Sequence, residues 1–465
     1  MRKFYLCFFE LFICLAACNV AIAQKNADTP STYEKIVPGA EYKASGLKRW
    51  LWGDNYREEW TMPATVKVLK LYSNTTGYTI LKPGNINQNL NLHVKNAAGK
   101  EYLIRSVNKT LGKNLPELFH KTFIEQRLSD GGSASNPYAA APVPVLAKAA
   151  GIYSANTSYR YVPVQPALGN YNNVFGNHFL VFEEIAPGNF KNYITTSTLL
   201  DTLNYDPNIS IDEKALVKAR LFDMFLNDWN RPEQNWLWGK TTNGDKTIYI
   251  PLPVNRDQAF SDYDGFLFGA SIGAGGLNYF QDFKNDIPNV NFINQKEKDL
   301  DRRLLNQVSL EDWQNAAREL NTSLTDTIIQ EAIKQFPPEI YASIGASMIS
   351  TLKDRRNHIM EWADKYYRFI SKEVHVTGTS GNNNFNIERL NNDEVLVQVF
   401  NAGINTPYYS RTFKPSETKA IRLFGLNGDD IYQISGKGSN SISIAISDGI
   451  TSRHSSTFQF ARCRF

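Results

Sequence analysis

The sequence is poor in residues that fasten a fold covalently or hold soft metals. Of its 465 residues, four are cysteine and six are histidine. Cys7, Cys14 and Cys18 fall in an N-terminal targeting segment, so Cys463 alone remains once that segment is removed. An internal disulfide and Cys-based metal sites are then excluded, and the scattered histidines show no ligand spacing. Charge of one sign is also scarce. The net charge of +4 is too small and too dispersed to argue for a nucleic-acid partner. What is present is apolar material: 42% of residues are hydrophobic, enough for a buried core, and the length suggests two or three domains.

The N-terminus reads as an export signal. Arg2 and Lys3 precede an apolar run from Phe4 to Ala23, broken only by Glu10 and Asn19. Ala21-Ile22-Ala23 supplies a small-residue cleavage pattern ahead of Gln24. The run is of marginal length for a membrane span, and Glu10 near its middle makes permanent insertion costly. Leu15-Ala16-Ala17-Cys18 also resembles a lipobox, in which Cys18 would be acylated and anchor the chain at the outer membrane. The two processing routes carry equal weight. Residues 1–23 are therefore expected as a signal peptide and 24–44 as a polar leader.

Trp50, Trp52, Tyr56 and Trp60 then mark an aromatic cluster expected to pack on the core. Alternation predicts strands over 66–72, 78–82, 90–94 and 102–107, separated by turns at Asn74-Thr75-Thr76-Gly77, Pro83-Gly84-Asn85 and Ala98-Gly99-Lys100. Helices are predicted over 115–128, 143–150 and 211–226, the last with Leu216, Leu221, Phe222 and Phe225 on one face. His178 to Glu184 is a short apolar run ending in two carboxylates. A Gly-rich interval, 265–276, precedes a mostly helical region from about 297 to 371. Past Ser371 the pattern turns to alternating strands with Gly/Asn turns, which predicts a separate small β domain. No internal repeat stands out. Gly425-Leu426-Asn427-Gly428-Asp429-Asp430-Ile431-Tyr432 is similar to a single calcium-binding nonapeptide, but calcium β-rolls need stacked copies, so an Asn-Gly-Asp turn accounts for it.

The chemistry-bearing residues gather in two loops. The helix over 211–226 runs into Asn227-Asp228-Trp229-Asn230-Arg231-Pro232-Glu233-Gln234-Asn235-Trp236, and a short strand runs into Asn255-Arg256-Asp257-Gln258. The step from Asn230 to Asn235 matches the D-x-x-x-x-N spacing of kinase catalytic loops, and Asp257 follows a strand as a kinase's magnesium-binding Asp does. On residue types alone, a loop of Asn and Asp capping a helix end is the better explanation of the first loop. The second loop weakens that explanation, because four polar residues between Pro253-Val254 and Ala259-Phe260 need partners. A β-rich lobe, a helix, an extended linker and a helical lobe with two polar loops form the order of a two-lobed, α+β, protein-kinase-like fold.

Residues 219–231 (ARLFDMFLNDWNR) with 251–260 (PLPVNRDQAF) resemble a family of exported Bacteroidota proteins with the patterns ARLFDMLxGDWDRHxDQW and PxPRDRDQAF. Some members are joined to metallophosphoesterase or outer-membrane β-barrel domains. The same elements are similar to those of HipA-type, CotH-type and secretory-pathway atypical kinases. The resemblance spans roughly residues 45 to 445. It implies a kinase-like domain over 45–371 (N-lobe about 45–182, C-lobe about 183–371), a β domain over 372–448 and a tail over 449–465.

It also implies ATP and magnesium as cofactors. Asn235 and Asp257 would hold metal, and Asn230 would stand at the catalytic-base position with Asp228 beside it and Arg231 bracing the loop. Arg105 or Lys109 is the candidate phosphate cation, with solvated strand charge as the simple alternative. Glu125 would pair with that cation, and Glu183 would face adenine from the hinge. The departures decide how far this goes. The family's DWDRH is here Asp228-Trp229-Asn230-Arg231-Pro232, and the first Asp of its D-x-D is Asn255. An amide cannot take a proton from a substrate hydroxyl at neutral pH, and two lost carboxylates weaken a magnesium site. The expectation is a nucleotide- and magnesium-binding phosphotransferase scaffold with a degraded catalytic loop. Its rival is a non-catalytic periplasmic or outer-membrane-associated module for an unknown protein partner.

Overall fold

The computed structural model describes residues 33–72, 77–83, 91–107, 131–185, 190, 192–244, 246–265, 278–438 and 441–447. Outside these lie the export signal with Cys18, Lys109, the helix expected over 115–128 with Glu125, the Gly-rich residues 266–276 and the tail from 449. No helix among the described residues is long and apolar enough to cross a membrane.

The chain mixes helix and sheet throughout. β1 (Tyr33–Ile36) and β2 (Ala64–Lys67) form an antiparallel pair. The strand expected over 66–72 stops at Lys67, because Val68 bridges to Tyr161 and the Leu69 N–H donates to the Tyr161 carbonyl at 2.8 Å. β3 (Tyr78–Pro83), β4 (Asn91–Asn96), β5 (Glu101–Ser106), β6 (Thr157–Val162) and β7 (His178–Glu184) build a five-stranded antiparallel sheet in the order β3-β4-β5-β7-β6. Alternation sends Leu92, Val94, Ile104 and Leu180 into one apolar cluster. Glu183 therefore lies inside a strand rather than on an exposed linker. Of the aromatic cluster, Tyr56 and Trp60 are buried with Tyr42, whereas Trp50 is 64% exposed, so only part of it joins a core.

β8 (Tyr193–Thr195), β9 (Ile209–Ile211), β10 (Trp236–Asn243) and β11 (Lys246–Pro253) form a four-stranded sheet ordered β8-β10-β11-β9. Helix Glu213–Leu226 is started by the Asp212 carboxylate, which accepts from the Ala215 N–H at 2.9 Å, and stopped by Asn227 in the left-handed region at φ 58°. It packs with helices Leu310–Ser323 and Pro338–Ile370, and Phe222, Phe225, Trp313 and Trp362 are fully buried in the main core.

The C-terminal strands have a core of their own. β12 (Glu373–Thr377), β13 (Asn383–Arg389), β14 (Val395–Asn401), β15 (Tyr409–Phe413), β16 (Ala420–Phe424), β17 (Ile431–Gly436) and β18 (Ser443–Ser447) make two sheets around Val376, Phe385, Ile387 and Leu423. β12 pairs in parallel with β16, and β13 in parallel with β17. The turn Gly378–Asn383 thus stacks on the turn Gly425–Asp430, and Phe385 stacks on Tyr432 at 4.7 Å. The region carries a structural repeat after all. It escapes the eye because the hairpin β14–β15 separates the two copies.

Candidate functional site

The site begins with a register. Arg105 on β5 faces Val181, and Leu103 faces Glu183, so Arg105 and Glu183 are diagonal neighbours on one face of the sheet. The Arg105 guanidinium is 4% exposed, which overturns the reading of it as a solvated strand charge. Its Nε donates to Glu183 Oε2 at 3.1 Å, and its Nη2 reaches the same carboxylate. Both Asp257 oxygens accept from it as well, with Nη2 at 2.9 Å from Oδ1 and Nη1 on Oδ2. Burial alone would lower the pKa of Arg105, but Asp257 and Glu183 hold it above its ordinary value.

Asp257 reaches this point because β11 ends at Pro253 and the chain turns at Asn255, whose φ is 56°. Asn tolerates that region better than most side chains. Its amide then joins the two loops: Asn255 Oδ1 accepts from Arg105 at 3.3 Å, and its Nδ2 donates to Asn235 Oδ1 at 3.1 Å. Asn235 Nδ2 donates in turn to the Asn230 carbonyl at 2.9 Å. Main-chain bonding adds a second tie, from the Val254 N–H to the Asn235 carbonyl at 3.0 Å.

Arg231 lies beneath both loops with no solvent exposure. It donates to the carbonyls of Val254 at 2.8 Å, Asn255 at 3.2 Å and Asn235 at 2.8 Å, and its guanidinium lies 4.9 Å from the Trp236 ring. Its own N–H donates to Glu297 Oε1 at 2.9 Å. Asp228 is 3% exposed and faces Arg231 at 3.5 Å and Arg256 at 3.9 Å. It belongs to this buried ionic layer, and the Asn230 residue between them is half-buried.

The centre of that layer is Asp223, to which the sequence reading gave no role. It is fully buried, pairs with Arg220 at 2.7 Å and with Arg256, and lies 3.6 Å from Arg231. Burial pulls Arg256 below its ordinary pKa, opposed by Asp223 and reinforced by Arg231. A carboxylate set among Leu221, Phe222, Met224 and Phe225 was the signal available, since a charge on an apolar helix face must be paired.

The predicted residues therefore divide. Arg105, Glu183 and Asp257 meet in a small cleft of about 20 Å³, partly open to solvent, between the five-stranded sheet and the second loop. Asp228, Arg231 and Asn235 sit behind it, joined to it through Asn255. Lys109 and Glu125 lie outside the described residues. No group of three or more His, Cys, Asp or Glu among the described residues is placed to hold a metal ion.

No family model matches the chain, and no curated protein matches it. Among solved structures it is similar to the Helicobacter pylori proinflammatory kinase CtkA, at 12% identity over 63% of this chain and 95% of that one, with a TM-score of 0.33. It is also similar to the Rio2 kinase of Chaetomium thermophilum, solved as an ADP/Mg2+-phosphoaspartate complex, at 11% identity over 61% of this chain and 71% of that one, with a TM-score of 0.27. Superpositions this loose assign neither a fold family nor a chemistry.

Proposed function

We propose that this chain is an exported, two-lobed, atypical kinase-like protein: a nucleotide-binding scaffold whose catalytic loop has lost phosphotransfer chemistry. One observation carries the reading. A buried cation from a middle strand of the first sheet, Arg105, meets both a hinge-strand carboxylate, Glu183, and the carboxylate that follows β11, Asp257. Phosphoryl transfer relies on positioning and charge rather than on covalent help. A strand cation near the acid that follows a later strand is part of the arrangement kinases use, although there the cation's partner is a helix Glu and the acid holds the metal.

The residues that should move the proton do not support activity. Asn230 offers an amide where a carboxylate would accept the hydroxyl proton. Asp228 is no surrogate, because its carboxylate is committed to the layer with Arg231 and Arg256. The remaining residues can bind and orient a phosphate-bearing ligand. Magnesium, which a kinase-like fold implies, does not fit the donors as they stand: Asp257 is taken up by Arg105, and Asn235 Oδ1 by Asn255.

The size of the cleft favours a second reading. At about 20 Å³ it has room for little more than one water and falls far below the ~300–1,000 Å³ of ordinary ligand pockets, so a nucleotide requires the sheet and the second loop to part. A non-catalytic module that keeps the fold for packing, and meets a protein partner in the periplasm or at the outer membrane, needs no such opening. Calorimetric titration of ATP and ADP into the purified chain separates the two. Submillimolar binding that is lost in Glu183→Ala, with no ATP consumed, is the expected result. No heat at millimolar nucleotide would overturn the nucleotide reading and leave the interaction module.

A further inference from the structure

We infer that Arg105 is the resident cation of this cleft and takes the place of a divalent metal, so that the chain binds no magnesium or manganese there. The inference rests on the kinase-like reading of the same cleft and concerns only its cation.

The geometry supports it atom by atom. A hard divalent cation needs several oxygen ligands turned toward one point, and magnesium needs them near 2.0–2.1 Å in an octahedron. Here both Asp257 oxygens, Glu183 Oε2 and the Asn235 and Asn255 Oδ1 atoms are turned toward N–H groups. Both carboxylate oxygens of Asp257 accept from Arg105. Glu183 Oε2 accepts from two nitrogens of the same guanidinium. Asn255 Oδ1 accepts from Arg105 at 3.3 Å, and Asn235 Oδ1 accepts from Asn255 at 3.1 Å. Asn235 cannot turn its oxygen elsewhere without giving up its 2.9 Å bond to the Asn230 carbonyl.

Chemistry makes the occupancy permanent. A guanidinium is not deprotonated in proteins, and its planar fork matches a carboxylate in two bonds at once. The Arg105 side chain is 4% exposed and paired to two largely buried carboxylates, and both would lose that ion pair if it withdrew. A metal ligated by Asp257 would share that carboxylate with a fixed positive charge. The changes noted in the sequence are consistent with this. Asn255, where the family has Asp, supplies a neutral oxygen to Arg105 and an N–H to Asn235, and a second carboxylate could do only the first.

The test uses Mn2+ alone, so its result is readable whether or not nucleotide binds. Free Mn2+ is followed by electron paramagnetic resonance, with calorimetry in parallel, on the wild-type chain and on Arg105→Gln, Arg105→Lys, Asp257→Asn and the double variant Arg105→Gln/Asp257→Asn. The expected result is no Asp257-dependent binding by wild type or Arg105→Lys. Arg105→Gln should bind one Mn2+ at least about tenfold more tightly, and the double variant should lose it. Wild-type binding that Asp257→Asn abolishes would overturn the inference. So would a folded Arg105→Gln with no gain over wild type. Should Arg105→Gln fail to fold, the comparison of wild type with Asp257→Asn still decides it.

Discussion

Asn383 and Asp430 stand 47 positions apart in the chain and one rung apart in space. The Asn383 backbone N–H and side-chain amide both donate to Asp430 Oδ1, at 2.7 and 2.9 Å. One residue earlier in the same two turns, the Asp429 N–H donates to Asn382 Oδ1 at 2.9 Å. The turn that resembles a lone calcium-binding nonapeptide is thus the upper copy of a stacked pair, fastened by amide-to-carboxylate bonds.

That fastening predicts the effect of Asp430→Ala. The Asn383 backbone N–H would lose its acceptor, while the side-chain amide would keep the Thr379 and Gly381 carbonyls, at a cost of about 1–2 kcal/mol. Urea denaturation should show the loss, and chelating calcium from the wild-type chain should leave its midpoint unchanged. Gly428→Ala should be comparably harmful, since a Cβ there would lie 2.7 Å from the Gly381 carbonyl oxygen at a φ of 96°.

Arg231 should be the least replaceable residue of the two loops. Lysine keeps the charge but cannot reach the carbonyls of Asn235, Val254 and Asn255 with one planar fork. Arg231→Lys is expected to cost about 3 kcal/mol and Arg231→Ala rather more, because Asp223 and Asp228 would lose part of their compensation. Denaturation midpoints check the size. Amide exchange at Asn235 and Val254, faster in the variants, checks the location.

Two Asn→Asp changes should behave differently. Asn230 is half-buried, so Asn230→Asp should alter stability by no more than ~0.5 kcal/mol. Asn255→Asp would set a carboxylate oxygen against Asn235 Oδ1, where an N–H now donates at 3.1 Å. That variant should lose about 1–3 kcal/mol even though Arg105 is near. Equal thermal midpoints for the two would refute the bonding order drawn between the loops.

Glu297 predicts a pH dependence. Burial pushes its carboxyl up from 4.5 to about 7, against the pull of Arg220 and the Arg231 N–H. Below 4.5 it is protonated in both the folded and unfolded chain. Between 4.5 and 7 the unfolded chain ionises first, so stability falls as pH rises through that window, and above 7 the cost is constant. Glu297→Gln should therefore gain on the order of 3 kcal/mol over wild type at pH 8 and little at pH 4. Glu59, Glu213 and Asp262 are raised to about 7 as well, mainly by burial, and act in the same direction. Urea titrations at pH 4, 6 and 8 test the slope.

The local elements were legible because their causes are local. Period-two alternation marked β3, β4 and β5 within a residue or two, and the apolar face of 211–226 marked the helix that delivers the first loop. Loop spacing and the resemblance to the DWDRH and D-x-D patterns singled out Asp228, Asn230, Arg231, Asn235 and Asp257, and the resemblance alone marked a carboxylate as missing at Asn230. Strand length over 66–72 was not legible. It depends on Tyr161, which arrives about ninety residues later to take the Leu69 N–H.

The partners, however, were decided by tertiary structure alone. Arg105 and Lys109 carry like charges four residues apart, and nothing between them says that Arg105 lies diagonal to Glu183 and under Asp257. Asp228 and Asp257 are both acids beside an arginine, yet one closes a buried layer and the other lines the cleft. The sequence by itself determined which groups carry charge and which strands and helices bear them. Which charge meets which follows from register and loop closure across 78 and 152 residues, and burial then turns those meetings into fixed pairs.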